Sequence, residues 1–330
     1  MPSTDPPPFL EFGPAALHGG RETRSGCEVV FAVPHSGRHY PAGFVDASPQ
    51  TLDHMRQGED AYVDHLIRGR LMAGQGGAVL PERAHILVAT HGRAYLDLNR
   101  ARDELDPAMF QPSLPLSSVT PSDRVAAGLG VLPHRLAPGR PLYPGPLHPK
   151  EATRRLDALH RPYHARLTSL LDDAARRFGQ AVMVDCHSMP SPRRTRRESK
   201  ASRAASMRPP FRPVRLDDGP DIILGDRWGR SASSALMALM ESCLRGEGLS
   251  VRRNHPYAGG YCTSYYGQPV AGRHAIQVEI NRALYMNEDT CRKSAGFDPL
   301  CRALQRAFLA FLDEVPATLP SIPGMGQAAE

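Results

Sequence analysis

The sequence predicts an α/β domain built on a mixed, largely parallel central sheet. Six apolar runs have the length of a β-strand, and several are rich in Val and Ile and almost continuously apolar, as expected for strands covered on both faces. Segments with helical periodicity lie between them, and this alternation is typical of the α/β class. The predicted strands are residues 27–33, 85–90, 181–186, 221–226, 249–254 and 274–280.

Four segments between the strands place apolar residues at every third or fourth position, which predicts amphipathic helices. They are residues 59–73, 151–178, 231–246 and 298–313. Pro162 is expected to kink or split the second helix, because proline has no backbone N–H to donate. The last helix is expected to begin near Asp298-Pro299, a capping residue followed by proline.

One domain is expected over residues 25–315, between a flexible N-terminal segment (1–24) and a flexible C-terminal tail (316–330). Residues 103–148 are rich in proline and lack periodicity, so we interpret them as a long excursion over the surface. Residues 191–215 are rich in Arg, Ser and Pro and poor in apolar side chains, which predicts a mobile, Arg-rich loop.

Composition argues against several function classes. The chain has a net charge of +6, but nine of its 40 Lys and Arg lie in residues 191–215, and the remainder carries a net charge of −2. A basic face on a folded module is therefore not predicted, and nucleic acid is not expected as a partner. No apolar run reaches the length of a membrane span, and the N-terminus does not resemble a secretory signal. Six cysteines without a CxxC pair predict reduced thiols in a cytoplasmic protein.

Polar side chains capable of chemistry follow four of the predicted strands. They are His35 after the first, Asp97, Asn99 and Arg100 after the second, His187 at the end of the third, and Glu279, Asn281 and Arg282 in the last. Functional groups collect at the carboxyl ends of strands in open α/β sheets, so we expect these side chains on one rim. Each histidine alone is equally compatible with a hydrogen-bonded structural role. His39 follows His35 at helical spacing, but Gly37 and Pro41 argue against a helix there.

Seven motifs occur in order between about residues 27 and 290. They are "VPHSGRHYP", "GEDAYVDHL", "YLDLNR", "DCHSMP", "DIILGDRWG", "NHPYAGGYCTSYYG" and "HAIQVEINRALYM". Together they resemble the N-formylglutamate amidohydrolase family. The resemblance implies a three-layer α/β/α, zinc-peptidase-like fold, akin to those of carboxypeptidases and aspartoacylase, and the hydrolysis of an N-acyl amino acid.

A hydrolytic zinc site needs three N or O ligands and one open position for water. His35 and His187 are the expected imidazole ligands and Asp60 is the expected carboxylate, with Glu59 as the alternative. Acidic residues at a helix N-terminus can also simply favour the helix dipole. Asp185 is expected either to orient an imidazole or to be solvated at the sheet end. Iron, manganese or cobalt can occupy a similar site.

The resemblance also implies roles around the metal. Zinc lowers the pKa of its bound water to about 7 and polarises the amide carbonyl. Glu279 is expected to take the proton of that water as general base and to deliver it to the leaving amine. A structural ion pair with Arg282 is the alternative for Glu279.

Substrate binding is assigned to four further residues, and Arg282 is assigned with Glu279 to catalysis. Arg100, aided by Asn99, is expected to bind the α-carboxylate of a small-molecule substrate, by resemblance to the Asn–Arg pair of zinc carboxypeptidases. Arg282 is a second clamp, an oxyanion stabiliser or the partner of a buried carboxylate. Asn254 and Tyr257 are expected to line the pocket.

The predicted activity is hydrolysis of an N-formyl or N-acyl amino acid, for example N-formylglutamate to formate and glutamate. A silent family member that binds a small carboxylate and a binding protein acting through residues 191–215 are the alternatives. No GxSxG, Walker A or GxGxxG pattern supports another chemistry. Cys186 and His187 are adjacent on a strand and point to opposite faces, which argues against a Cys–His dyad. The exact substrate, the metal and the oligomeric state stay open.

Overall fold

The computed structural model describes residues 5–14, 29–69, 80–191 and 219–319, which contain a seven-stranded mixed sheet. Its strands are β1 Phe9–Phe12, β2 Val29–Val33, β3 His85–Ala89, β6 Ala181–Met189, β7 Ile222–Gly225, β8 Val251–Arg253 and β9 Arg273–Asn281. Two small antiparallel pairs join β4 Arg135–Ala137 to β5 Arg140–Pro141 and β10 Met286–Asn287 to β11 Arg292–Lys293.

The strand order in the sheet is β1-β3-β2-β6-β9-β7-β8. The four strands β3, β2, β6 and β9 are parallel to one another, whereas β7 runs antiparallel to β9 and β1 antiparallel to β3. The carboxyl ends of β2, β6 and β9 therefore meet at one edge of the sheet. All six predicted strands and the largely parallel sheet are confirmed.

Helices cover the sheet. They are α1 Ala42–Ala47, α2 Leu52–Arg56, α3 Val63–Arg68, α4 Asp123–Ala126, α5 Pro149–Arg155, α6 Arg161–Phe178, α7 Ser234–Gly246, α8 Tyr261–Tyr266 and α9 Phe297–Thr318. A π-helical turn, Leu156–His160, joins α5 to α6 directly before Pro162. The chain is not split at Pro162. The backbone stays helical from α5 through the π-turn into α6, and the missing N–H of this proline coincides with a local change in the hydrogen-bond spacing. No helix of the described ranges is long and apolar enough to cross a membrane.

Side-chain alternation along the central strands divides the buried residues into two cores, which confirms the three layers. Val184 of β6 and Val278 of β9 face the core shared with α3, α7 and α9. Met183 and Ala275 face the opposite core, shared with α6. The proline-rich residues 103–148 differ from the expected surface excursion. They contribute buried apolar side chains to this second core, namely Leu105, Met109, Phe110, Val131, Leu132 and Leu142.

Regular structure continues beyond both expected boundaries of the domain, and those boundaries stay a prediction. Residues 9–12, expected to be flexible, form β1 because the outer edge of β3 supplies the backbone partners of a short strand. Helix α9 passes the expected boundary at residue 315 and ends at Thr318, since Val315 and Leu319 remain buried in the core. The Arg-rich loop predicted at 191–215 lies, apart from its first residue, outside the described residues.

Strand β1 is tied to α6 by an ion pair that gives a pH-dependent prediction. Glu11 accepts two hydrogen bonds of 2.6 Å from Arg166. Hydrogen bonds with His85 and Arg166 lower the pKa of Glu11 from its ordinary 4.5 to about 2. The pair therefore stabilises the fold above about pH 4.5, and this contribution is lost as the pH falls towards 2. We expect Glu11→Gln to lower the free energy of unfolding at pH 7 by about 1 kcal/mol or less, because the ion pair is partly exposed. Urea denaturation of both proteins measures this difference.

The control for this prediction is the same comparison at lower pH. The difference in the free energy of unfolding between the wild type and Glu11→Gln should decrease steadily from pH 5 to pH 3. A difference that stays constant over this range would show that the charge of Glu11 contributes nothing to stability.

Candidate metal centre

Three predicted ligands come together at the carboxyl edge of the sheet. His35 lies in the turn that follows β2, and His187 lies near the end of the neighbouring parallel strand β6. Asp60 lies in the loop before α3. The backbone N–H of Asp60 donates to the carbonyl of His35 at 3.0 Å. The Ser36 hydroxyl donates to the carbonyl of Asp60 at 2.9 Å, so the two loops are joined along their backbones.

The three side chains form a compact triangle of ligand atoms. His187 Nδ1 lies 3.1 Å from His35 Nδ1 and 3.0 Å from Asp60 Oδ2, and His35 Nδ1 lies 3.4 Å from Asp60 Oδ2. The ligand atoms of a tetrahedral zinc with bonds of about 2.0–2.1 Å are about 3.3 Å apart. All three residues are at most 3% exposed. Two imidazole nitrogens and one carboxylate oxygen at this spacing fit a divalent metal ion.

Electrostatics around the triangle favour positive charge. Burial opposes ionisation of Asp60, but hydrogen bonds to His187 and His35 hold its pKa well below the usual value. Burial likewise opposes protonation of His187, yet Asp185 and Asp60 raise its pKa well above the usual value. An ionised carboxylate at Asp60 and a preference for positive charge at the His187 ring suit a metal-binding position.

Each imidazole places its other nitrogen against a second carboxylate. His35 Nε2 lies 2.6 Å from Asp97 Oδ1, and His187 Nε2 lies 3.0 Å from Asp185 Oδ1. Carboxylates in this position orient a ligating histidine and leave its other nitrogen for the metal. Asp185 lies within ion-pair distance of His187, and its orienting role stays a prediction. No role was predicted for Asp97, and the only signal for it in the sequence is its place within "YLDLNR".

Arg282 contacts the carboxylate of the triangle. Its Nη2 donates to Asp60 Oδ1 at 2.9 Å and its Nε donates to the Ser188 hydroxyl at 2.9 Å. The guanidinium therefore holds the Asp60 oxygen that does not face the imidazoles. Glu59, the alternative ligand, is buried but does not belong to the cluster of ligand atoms.

Glu279 lies directly beside His187, because the two residues are paired in the register of β6 and β9. It is 8% exposed, and Gln277 Nε2 donates to its Oε1 at 2.9 Å. Burial raises the pKa of Glu279 to about 7, with the nearby charge of His187 acting in the opposite direction. Glu279 thus has the location and the proton affinity expected of a base near neutral pH.

The predicted Asn99–Arg100 pair lies near the site but is largely engaged by the protein itself. Asn99 Oδ1 accepts the backbone N–H of Cys262 at 2.8 Å, and Asn99 Nδ2 lies 3.2 Å from His187 Nε2. Arg100 donates from Nε to the carbonyl of Leu129 at 3.0 Å and from Nη1 to the carbonyl of Asn99 at 2.6 Å.

Arg93 is a further arginine at this site that the sequence reasoning missed. Its Nη2 donates to Asp97 Oδ2 at 2.8 Å, and 28% of its side chain is exposed. Burial opposes the charge of Arg93, but Asp97, Asp60 and Glu279 are close enough to raise its pKa. Its only sequence signal is its position two residues before "YLDLNR".

Asn254 and Tyr257 have different surroundings in the structure. Asn254 has a φ of 57° and bonds to Asp226 through both side-chain atoms, accepting from the backbone N at 3.0 Å and donating to Oδ1 at 2.6 Å. It shapes a turn. Tyr257 is half-buried, and burial together with the charge of Glu279 raises its pKa.

The fold and this cluster define an α/β protein with a candidate metal centre at the carboxyl edge of its sheet. A family model described as N-formylglutamate amidohydrolase matches residues 27–286. The chain belongs to the N-formylglutamate amidohydrolase family, and the resemblance of the seven motifs is confirmed.

Two curated relatives are N-formylglutamate deformylases. The protein from Pseudomonas aeruginosa is 32% identical and that from Pseudomonas putida 30% identical, each over 210 residues that cover 62% of this chain. The chain spans 65% of the length of each of these relatives, slightly less than two thirds. The crystal structure of an N-formylglutamate amidohydrolase from Ralstonia eutropha JMP134 is 32% identical, with a TM-score of 0.75, and covers 94% of this chain and 99% of that one.

Proposed function

We propose that this chain is a metal-dependent amidohydrolase that cleaves an N-formyl or N-acyl amino acid, with N-formylglutamate as the first substrate to test. The buried triangle of His35, Asp60 and His187 beside Glu279 is the observation that carries the proposal. Relatives named for N-formylglutamate deformylation support the substrate class. A divalent ion, most simply zinc, held by the triangle would polarise the amide carbonyl and lower the pKa of a bound water to about 7.

Glu279 moves the proton in this proposal. It accepts a proton from the attacking water and delivers it to the nitrogen of the leaving amine, so that water and amide become a carboxylic acid and an amino acid. A pKa of about 7 suits both directions of transfer. The hydrogen bond from Gln277 fixes the orientation of the carboxylate.

Arg282 and Tyr257 have supporting roles. Arg282 positions Asp60 through the 2.9 Å hydrogen bond to Oδ1, so we assign it to the ligand rather than to the oxyanion. Tyr257 keeps its proton because its pKa is raised, and its hydroxyl can donate a hydrogen bond to the substrate. Asn254 bonds to Asp226 through both side-chain atoms and so shapes the loop that carries Tyr257.

The carboxylate of the substrate is better served by Arg93 than by Arg100, because Arg93 is more exposed and Arg100 is bound to backbone carbonyls. We expect Arg93→Gln to raise KM by about 10- to 100-fold, as for the loss of a hydrogen bond between charged groups. Its kcat should change less than its KM. Steady-state kinetics checks this.

Arg100→Gln is the matched variant for this prediction. It should lower the melting temperature, because the carbonyls of Leu129 and Asn99 lose their partner, and should leave KM near that of the wild type. If KM is raised in Arg100→Gln and not in Arg93→Gln, Arg100 is the residue that binds the substrate carboxylate.

The function itself is tested by product release. The purified, metal-replete protein is incubated with N-formylglutamate, N-formylmethionine and N-acetylglutamate, and the released acid and amine are measured. At least one substrate should give acid and amino acid in equal amounts. Failure with every N-acyl amino acid would support a silent family member. A cytoplasmic location remains part of the proposal, supported by six cysteines without a CxxC pair.

A further inference from the structure

Asp97 and Asn99 belong to an irregular, buried segment of the chain, and the carbonyls of this segment need hydrogen-bond partners. The residues lie outside any helix or strand, so no ladder supplies those partners. Asp97 contacts one ligand imidazole and Asn99 the other. The backbone path of residues 97–100 therefore decides where two of the groups around the metal centre lie.

Two histidines of the neighbouring helix hold this path. His164 Nε2 lies 3.0 Å from the carbonyl oxygen of Leu98, and His160 Nε2 lies 3.0 Å from the carbonyl oxygen of Arg100. Because the Leu98 carbonyl can only accept, Nε2 of His164 carries the proton, and its Nδ1, 2.9 Å from the Tyr266 hydroxyl, is left as an acceptor. Burial lowers the pKa of both imidazoles, that of His164 to about 3, so both rings are neutral donors to the segment.

The four-residue spacing of His160 and His164 explains how both rings reach alternate carbonyls, because residues four apart lie on one face of a helix. Leu156–His160 is the π-turn, and His160 is its last residue before α6 begins. His164 follows four positions later on the same face, and the two ring centroids are 4.1 Å apart. Single π-turns within α-helices are frequent at functional sites. The side-by-side rings place their Nε2 atoms on the first and last carbonyls of the three-residue stretch 98–100.

We propose that His160 and His164 are positioning residues of the metal centre, which hold residues 98–100 so that Asp97 stays against His35 and Asn99 against His187. This inference rests on the proposed metal centre. The carboxylate that orients a ligating histidine typically changes metal affinity by about 10- to 100-fold when it is removed. Displacement of the backbone that carries Asp97 should act in the same direction.

Glutamine and leucine substitutions separate positioning from packing. The Nε2 of glutamine reaches about as far as the Nε2 of histidine and can donate to the same carbonyl, whereas leucine fills the space without a donor. We therefore compare His160→Gln with His160→Leu, and His164→Gln with His164→Leu, in the full-length protein. The readouts are the Zn²⁺ affinity by chelator competition, the absorption spectrum of the Co²⁺-loaded protein, and the melting temperature of the metal-free protein.

We expect each leucine variant to bind Zn²⁺ about 10- to 100-fold more weakly and to show an altered Co²⁺ spectrum. Each glutamine variant should stay within about threefold of the wild type, given the preserved donor. The inference is overturned if folded leucine variants bind Zn²⁺ as tightly as the wild type, or if glutamine and leucine impair binding equally. His35→Ala is the control: full metal binding by this variant would instead overturn the metal centre, and the inference with it.

Discussion

Replacement of His187 by alanine is expected to abolish metal binding. His187 Nδ1 is the corner of the triangle with the two shortest sides, at 3.1 Å from His35 Nδ1 and 3.0 Å from Asp60 Oδ2. Without it, only two ligands remain, one fewer than a hydrolytic zinc site uses. Metal analysis of the purified protein should show about one equivalent in the wild type and a small fraction of that in His187→Ala.

Two control variants make this prediction specific. His39→Ala removes an imidazole that lies close in sequence to the site but is paired with Asp5 at 3.1 Å, so it should retain the metal. Asp60→Asn should lose most of the metal and Glu59→Gln should keep it, which separates the two acidic candidates of "GEDAYVD". A folded His187→Ala protein that binds a full equivalent of metal would exclude the triangle as the centre.

Substitution of Glu279 by glutamine is expected to abolish turnover without loss of the metal. Glutamine preserves the shape of the side chain but cannot accept a proton, and general acid–base catalysis typically contributes about 10²- to 10⁴-fold to a rate. We expect kcat to fall by about this factor. The metal content and the melting temperature should remain close to those of the wild type, because Glu279 is not a member of the triangle. Kinetics and metal analysis on the same preparation check both halves.

Glu59→Gln is the matched control for this experiment. Glu59 is also a buried carboxylate whose pKa is raised by burial to about 7, but the proposed mechanism does not use it for proton transfer. Its substitution should leave kcat within a few-fold of the wild type. Should Glu279→Gln retain the wild-type kcat, another group must be the base.

The charges around the site explain why a cation suits it. Four buried carboxylates surround the two imidazoles, and they are Asp60, Asp97, Asp185 and Glu279. Arg282 contacts the first and Arg93 the second. The remaining negative charge is costly to bury unless it is compensated. A divalent ion between Asp60 and the imidazoles would take the place of the proton that Asp185 and Asp60 favour on His187.

Much of the fold could be predicted because short stretches of the sequence carry recognisable patterns of apolar residues. Val, Ile and Leu in strand-length runs predicted the six strands, and their alternation predicted that Ile276, Val278 and Ile280 share one face of β9. Strand β1 was missed because its four residues, three half-buried and one exposed, are too few to show a periodic pattern. Its pairing depends on the free edge of β3, whose paired residues lie 74 to 80 positions further along the chain.

The sequence by itself determined the order of the elements and the chemical types at the sheet edge: two imidazoles, the acidic residues of the loop before α3, and a glutamate in the last strand. Only the tertiary structure decided which atoms meet. It brings the Asp97 carboxylate into contact with Nε2 of His35. It also brings Arg282 into contact with Asp60, and the His160 imidazole into contact with the carbonyl of Arg100. These contacts join residues 60 to 222 positions apart, so they follow from how the strands and helices pack and not from any local spacing.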